Sequence, residues 1–407
     1  MKRHLDLRTG RPVWYAYRTP QVPTETLVRD CEADVVVVGM GISGSMIAEA
    51  LSAEGQSVIA IDRRGLLRGS TSATTALVQF EIDQPITKLA LIAGKEKAER
   101  AWIRSRLAVE GLRARIQDIG IECGLAERRS LYLAGNVLRG SSLQSEADAR
   151  RSAGLDATYL TRSELGSRYG IDRENAIECH GNLALDPRRL TAGLWRACLS
   201  RKARAFAPVE AVSFSHSADH VEVGTAAGPV IRAGVCVLAT GYELAVGVPG
   251  NGHRVISTYA IATKPQPTKL WPTQAFVWEA SDPYLYIRTT HDGRVICGGE
   301  DEEFEDEARR DALISRKAAT IAGKLKALFP ALDATPDYTW AGAFGSTGSG
   351  LPIIATVPGK PRLFAAMGYG GNGITWSRIA AEQITAAVTG REDRDTDLFG
   401  FPPSSRL

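Results

Sequence analysis

A chain of 407 residues has room for two or three domains and a sizeable core. Its 49 Lys and Arg against 46 Asp and Glu leave a net charge of +3 spread along the chain, which gives no electrostatic reason to expect a nucleic-acid partner or a membrane surface. With 44% hydrophobic and 23% charged residues, disorder, coiled coil and collagen are excluded, and the one skewed count is glycine, 40 residues where the usual share gives about 28. The six cysteines, Cys31, Cys123, Cys179, Cys198, Cys236 and Cys297, are too scattered to suggest a zinc site or a disulfide framework, so a reducing compartment is expected. The start of the chain lacks the apolar core of a signal peptide, and no apolar run reaches transmembrane length; a cytoplasmic location is expected.

Residues 1–30 are polar, with Pro20 and Pro23, and predict an extended arm. From Ala33 the β-branched run to Gly39 predicts a strand buried on both faces, residues 43–54 have helical apolar spacing, and 56–62 form a second buried strand. Strand, helix and strand within some thirty residues make a βαβ unit and predict a parallel sheet. Helix is predicted over 89–120, 145–152 and 186–201, the last with Pro187 where a first-turn proline is tolerated. Residues 131–134, 207–214, 219–224 and 229–239 are strand-like, and 253–300 holds several β segments rich in aromatics. Helices over about 305–328 and 375–389 complete the chain, with a glycine-rich stretch between them.

Gly39, Gly41 and Gly44 make G-x-G-x-x-G between the predicted strand and helix, a context that makes the pattern specific. The first glycine permits the tight turn, the second lets backbone approach a pyrophosphate, and the third allows helix and sheet to pack closely. The phosphates then meet free N–H groups at the positive end of the helix that Ser43 opens. Asp62, followed by Arg63, ends the second strand where an acid accepts from a ribose. A dinucleotide site follows, but NAD and FAD share this fingerprint. Three further segments bear on the choice: the small, hydroxyl-rich stretch 69–79, the strand end Ala239, Thr240 and Gly241, and a second glycine-rich loop over 366–374 that opens the last helix.

Together these segments resemble the D-amino-acid oxidase-like superfamily of FAD-dependent oxidoreductases, in the right order over residues 33–390. The resemblance implies an α/β fold with a discontinuous Rossmann-like FAD-binding domain and a second α+β substrate domain containing a mainly antiparallel sheet. It implies boundaries of 31–92 with 150–241 and 338–407 for the FAD domain, and 93–149 with 242–337 for the substrate domain, after the 1–30 arm. It places Ser70, Thr71, Thr74 and Gln79 along the cofactor from pyrophosphate to flavin ring. Gly368, Gly370, Gly371, Asn372, Gly373 and Ile374 would cap the flavin with backbone amides, which favour negative charge on the reduced ring. Neither loop contains His or Cys, so the FAD is expected to be non-covalent. The Gly-Asp motif of flavoprotein hydroxylases is absent near the second loop, which lowers that reading.

The flavin carries the redox chemistry, so substrate-positioning residues are expected rather than a triad. His216 and His220 lie on a strand-like run, about 13 Å apart along it, too far to share a metal. The run 282–301 resembles the family's strand, turn and strand over the substrate cavity; Asp292-Gly293 is a type I′ hairpin signal. Tyr286 and Arg288 alternate onto one face and offer a hydroxyl and a cation; Tyr259 is a further candidate. Amino-acid-oxidising members of the superfamily carry an arginine for the substrate carboxylate where this chain has Phe344, and an aspartate where it has Ser349. A simple α-amino acid is thereby disfavoured unless Arg288 substitutes. The expected reaction is hydride transfer from the C–H of an amine or amino-acid-like substrate to flavin N5, with oxygen or another carrier as acceptor. Oxidation of a 2-hydroxy acid or polyol, and a non-catalytic flavoprotein assembly or binding factor, are the alternatives.

Overall fold

In the computed structural model, which describes residues 5–250 and 252–402, the predicted βαβ unit is the strand Cys31–Val38, the helix Ile42–Ala53 and the strand Val58–Ile61. These strands lie at the centre of a parallel array ordered Lys360–Met367, Val230–Leu238, Cys31–Val38, Val58–Ile61, Arg204–Phe206. Alternate residues bury opposite faces. Val35, Val37 and Ala60 pack toward the helices Ile42–Ala53, Pro187–Ser200 and Gly373–Val388, while Val36, Ile59 and Ile61 pack with Val221 and Val223 of an antiparallel layer. That two-sided burial is why the sequence is β-branched without alternation. The antiparallel strands Ala211–His216, Val221–Thr225 and Ile353–Val357 complete an eight-stranded sheet among the described residues.

A second sheet, of ten strands, runs Arg8–Gly10, Pro336–Thr347, His253–Thr263, Val295–Glu302, Leu285–Thr289, Phe276–Glu279, Ala126–Leu133, Asn175–Ala184, Leu77–Val78, with Ala157–Thr161 also on Asn175–Ala184. Every pairing is antiparallel except Phe276–Glu279 on Ala126–Leu133. Helix Glu307–Leu328 covers one face, burying Ile321 and Leu325 against Ile261, Ile287 and Cys297.

The sheets partition the chain differently from the expected boundaries. Asn175–Ala184 and Ala157–Thr161, expected in the nucleotide-binding part, hydrogen-bond into the ten-stranded sheet, as does Pro336–Thr347 up to residue 347. Conversely helix Lys95–Ile119, expected in the substrate part, packs on Gly373–Val388, with Arg104 paired to Glu382 and Asp393 and Arg115 to the buried Glu49. Long-range partners that local patterning does not record decide both cases. The first thirty residues are more than an arm: Arg8–Gly10 pairs with Trp340–Gly342, and Trp14 is buried with its Nε1 donating to Thr74 O at 2.6 Å. The 290–294 hairpin is also not type I′. Gly293 alone has positive φ, +85°, while Asp292 stays outside the left-handed region with its carboxylate accepting from Thr290 Oγ1 and Tyr17 Oη. Gly293 N–H donates to Thr290 O, a type I turn closed by a left-handed glycine.

Candidate active site

At the end of strand Cys31–Val38 the chain turns through Gly39 at φ +113°, where a Cβ would lie 2.2 Å from Ala239 O; only glycine fits. A Cβ on Gly44 would lie 1.9 Å from Gly39 O, so the third glycine brings helix Ile42–Ala53 down onto the strand. Gly41 is the helix N-cap, no acid occupies the first turn, and Ile42 N–H donates to Thr71 Oγ1 at 3.0 Å. The Asp62 carboxylate accepts from the N–H groups of Met40, Arg64 and Gly65 at 2.9, 2.7 and 2.9 Å, tying the glycine turn to the neighbouring strand end. Burial pushes its pKa up against these donors. Arg63 and Arg64 both pair with Glu243.

These groups line a cleft of about 480 Å³, within the range of small-ligand sites. Gly39, Gly41, Ser43, Asp62 and Arg63 form one wall, Ser70, Thr71 and Thr74 the next, Ala239, Thr240 and Gly241 a third, and Gly371, Gly373 and Ile374 the far end. Gly373 and Ile374 open helix Gly373–Val388, whose first-turn amides point along a second positive helix end. A second cavity, of about 110 Å³, shares Ser70, Thr74, Tyr242 and Gly371 with the cleft, and adds Gln79, Gly370 and Asn372. Two of the residues expected at the cofactor line neither space: Gly44 serves helix packing, and Gly368, at φ +72° with its Cβ position 2.6 Å from Thr347, is a turn glycine. The amides of the second loop are also partly engaged within the protein: Gly370 N–H donates to Gly345 O, and Gly371 N–H to Asp83 Oδ2 at 2.8 Å.

The ten-stranded sheet roofs the second cavity with Tyr286 and Phe344, as expected, and with Thr258, Trp278, Tyr284 and Trp340, which sequence reasoning missed. Trp278 and Tyr286 are directly opposed across two strands, and a Cβ on Gly298 would stand 2.3 Å from the Tyr286 ring, so Gly298 lets that ring lie flat on the sheet. Tyr286 Oη is 3.1 Å from Thr258 Oγ1, and Trp340 Nε1 donates to Ala73 O at 2.7 Å. Burial raises the pKa of Tyr242, Tyr284 and Tyr286, so all three hydroxyls stay protonated. Tyr284 was legible two residues before Tyr286 on the same face, and Tyr242 directly after Gly241; Asp83 carried no local signal.

Two candidates are corrected. Arg288 leaves its strand on the Tyr286 face but donates to backbone carbonyls, from Nη1 to Ala76 O at 2.6 Å and Leu185 O at 3.1 Å and from Nε to Thr289 O at 3.1 Å, and it does not line the cavity. Burial lowers its pKa to about 9, which leaves it charged and unavailable to a substrate. Tyr259 contributes to the cavity wall, but its side chain lies on the opposite face, buried with Ile261 and Ile321 under helix Glu307–Leu328, with Lys317 Nζ 5.6 Å from the ring centre.

A parallel nucleotide-binding sheet whose glycine turn opens into an aromatic cavity under a second, antiparallel sheet defines a dinucleotide-dependent oxidoreductase of two-sheet architecture. The description of the DAO family, FAD dependent oxidoreductase, matches residues 34–387, and the chain belongs to that family. It is 24% identical over 380 residues to the probable oxidoreductase OrdL of Haemophilus influenzae, covering 89% of this chain and 84% of OrdL. It is also 24% identical over 390 residues to the glycine oxidase of Geobacillus kaustophilus, covering 90% and 96%. The crystal structure of that glycine oxidase superposes with a TM-score of 0.74 over 91% of this chain and 99% of that one, at 21% identity. The L-proline dehydrogenase of P. horikoshii superposes at 0.76 over 92% and 97%, at 17% identity. The protein is an enzyme and FAD is its cofactor. The residues present fit that group: beside the glycine cradle, Ser70 Oγ and Gln79 Nε2, on the walls of the cavities, are buried with no hydrogen-bond partner. No helix among the described residues is long and apolar enough to cross a membrane.

Proposed function

We propose that the enzyme oxidises the C–N bond of an amine or amino-acid-like small molecule, giving an imine that water hydrolyses to a carbonyl compound. The observation that carries this reading is the continuity of cleft and cavity through Ser70, Thr74, Tyr242 and Gly371, which places a small aromatic chamber directly beyond the dinucleotide site. FAD, when bound, supplies the two-electron acceptor for the C–H bond beside the nitrogen. Gly39, Gly41, Ser43 and Asp62 hold its nucleotide half, and Ser70, Thr71, Thr74, Gln79 and the first turn of helix Gly373–Val388 hold the rest without a covalent bond. Tyr286 and Thr258 orient the substrate by their paired hydroxyls, and Phe344, Trp278 and Trp340 exclude water from the reacting carbon. Two of the similar proteins, glycine oxidase and L-proline dehydrogenase, are named for amino acids, which supports C–N over C–O oxidation.

Product analysis tests the reading. Turnover of an active amine should release one carbonyl compound and one equivalent of ammonia or amine per two electrons passed to oxygen or another carrier. A ketone formed from 2-hydroxy acids, with amines inert, would replace it by the hydroxy-acid reading.

A further inference from the structure

The charge and the walls of the second cavity narrow the substrate class, an inference that rests on the C–N reading. The walls are aromatic: Trp278, Tyr284, Tyr286, Trp340 and Phe344, with the Tyr284 and Tyr286 ring centres 5.4 Å apart and inclined at 47°. Among the lining residues the single ionisable group of formal charge is the carboxylate of Asp83; no Lys, Arg or His is present there. Asp83 accepts from Gly371 N–H, and its remaining lone pairs are left to the contents of the cavity. Arg288, on the same sheet face as Tyr286, is bound to backbone carbonyls.

The register of the sheet adds a second carboxylate. Strand pairing slips between Ser257↔Glu302 and Tyr259↔Gly299, so Thr258 faces two residues, and the extra one, Glu300, sits at φ +59°. Such a bulge turns a side chain to the face it would otherwise miss. Glu300 and Glu302 pair with Lys317 on helix Glu307–Leu328. Asp301 between them turns to the other face, beside Thr258, and keeps a buried Oδ1 with no partner. The bulge thus holds Glu300 on the lysine side and sets Asp301 beside Tyr286 and Thr258 on the other.

We propose that the cavity takes a cationic amine that carries no carboxylate, its ammonium received by Asp83 and the neighbouring tyrosine ring faces. Ring faces and a carboxylate replace the hydration shell of an ammonium. A substrate carboxylate in the same place would meet Asp83 and the negative faces of the rings with no cation to answer it. The enclosed position of Asp301 raises its pKa to about 7, and a bound cation relieves that cost.

The test uses the FAD-loaded enzyme and two ligands of similar size, phenyltrimethylammonium and benzoate, with the flavin absorbance spectrum as the readout of binding. The ammonium should bind at least about tenfold more tightly than benzoate, and Asp83→Asn should weaken it about tenfold with FAD content unchanged. Benzoate binding as tightly as the ammonium, or an ammonium affinity untouched by D83N, would overturn the proposal. Matched substrates separate it from the reading beneath it. Phenethylamine reducing the flavin where phenylalanine does not supports both; phenylalanine reacting as fast keeps C–N oxidation and overturns the cationic-amine assignment; reduction by hydroxy acids alone overturns both.

Discussion

Arg288 and Tyr286 leave one strand on one face, two residues apart, and end in different surroundings. The step of roughly 7 Å along the strand carries Arg288 past the cavity to the carbonyls of Ala76 and Leu185, where burial has left acceptors that only a long cation reaches. Arg288→Met should lower the stability of the FAD-loaded enzyme to urea by about 2–4 kcal/mol, because it strands several buried carbonyls at once. An unchanged urea midpoint with a large rise in KM would return Arg288 to the substrate. Asp301 makes a pH prediction. Its folded-state pKa, about 7, lies above the ordinary carboxylate value, so the native state holds the proton more tightly than the unfolded chain. Asp301 therefore favours folding below the unfolded pKa, and that contribution is lost as pH rises from about 4 to about 7. Asp301→Asn should show a thermal midpoint that gains on the parent protein across this window and stays level above it; a gain that shrinks with rising pH would contradict the assignment.

At the scale of elements, what was legible depended on whether local chemistry or a distant partner decides the conformation. The glycine turn was legible because backbone crowding by Ala239 and Gly39 leaves no alternative to Gly39 and Gly44. The strand Asn175–Ala184 was not, because buried Glu178 and Asn182 break its pattern. Glu178 is satisfied by Arg129, Arg168 and Tyr169, and Asn182 Oδ1 accepts from Phe80 N–H, all from other elements. The type I turn at Gly293 and the bulge at Glu300 belong to the same group: the bulge follows from sheet register, which no short window of sequence records. Two glycines make a paired prediction. Gly44→Ala should separate helix from strand and abolish FAD retention on gel filtration. Gly298→Ala should leave FAD content near the parent level while displacing the Tyr286 ring and raising KM about tenfold or more, a fold-change set by the lost wall contacts. Equal FAD loss in both would contradict the assignment of the two sheets to two tasks.

The whole molecule brings two sheets together along segments 69–79 and 366–374, which line both the cleft and the cavity. The order of the nucleotide motifs was readable because each is a local solution to binding one dinucleotide. The composition of the chamber was not, since Asp83, Thr258, Trp278 and Trp340 come from separate elements that only the fold assembles. Neither flavin-facing segment offers His or Cys, so acid precipitation should release all the yellow colour to the supernatant, and a yellow pellet would overturn non-covalent attachment. The central claim, C–N oxidation by this FAD enzyme, is tested most directly by anaerobic mixing of the loaded protein with matched amines, amino acids and 2-hydroxy acids while the yellow flavin absorbance is followed. The account predicts bleaching by amines, fastest with those lacking a carboxylate, and none by hydroxy acids. Bleaching by hydroxy acids alone, or by no member of the panel, would contradict it.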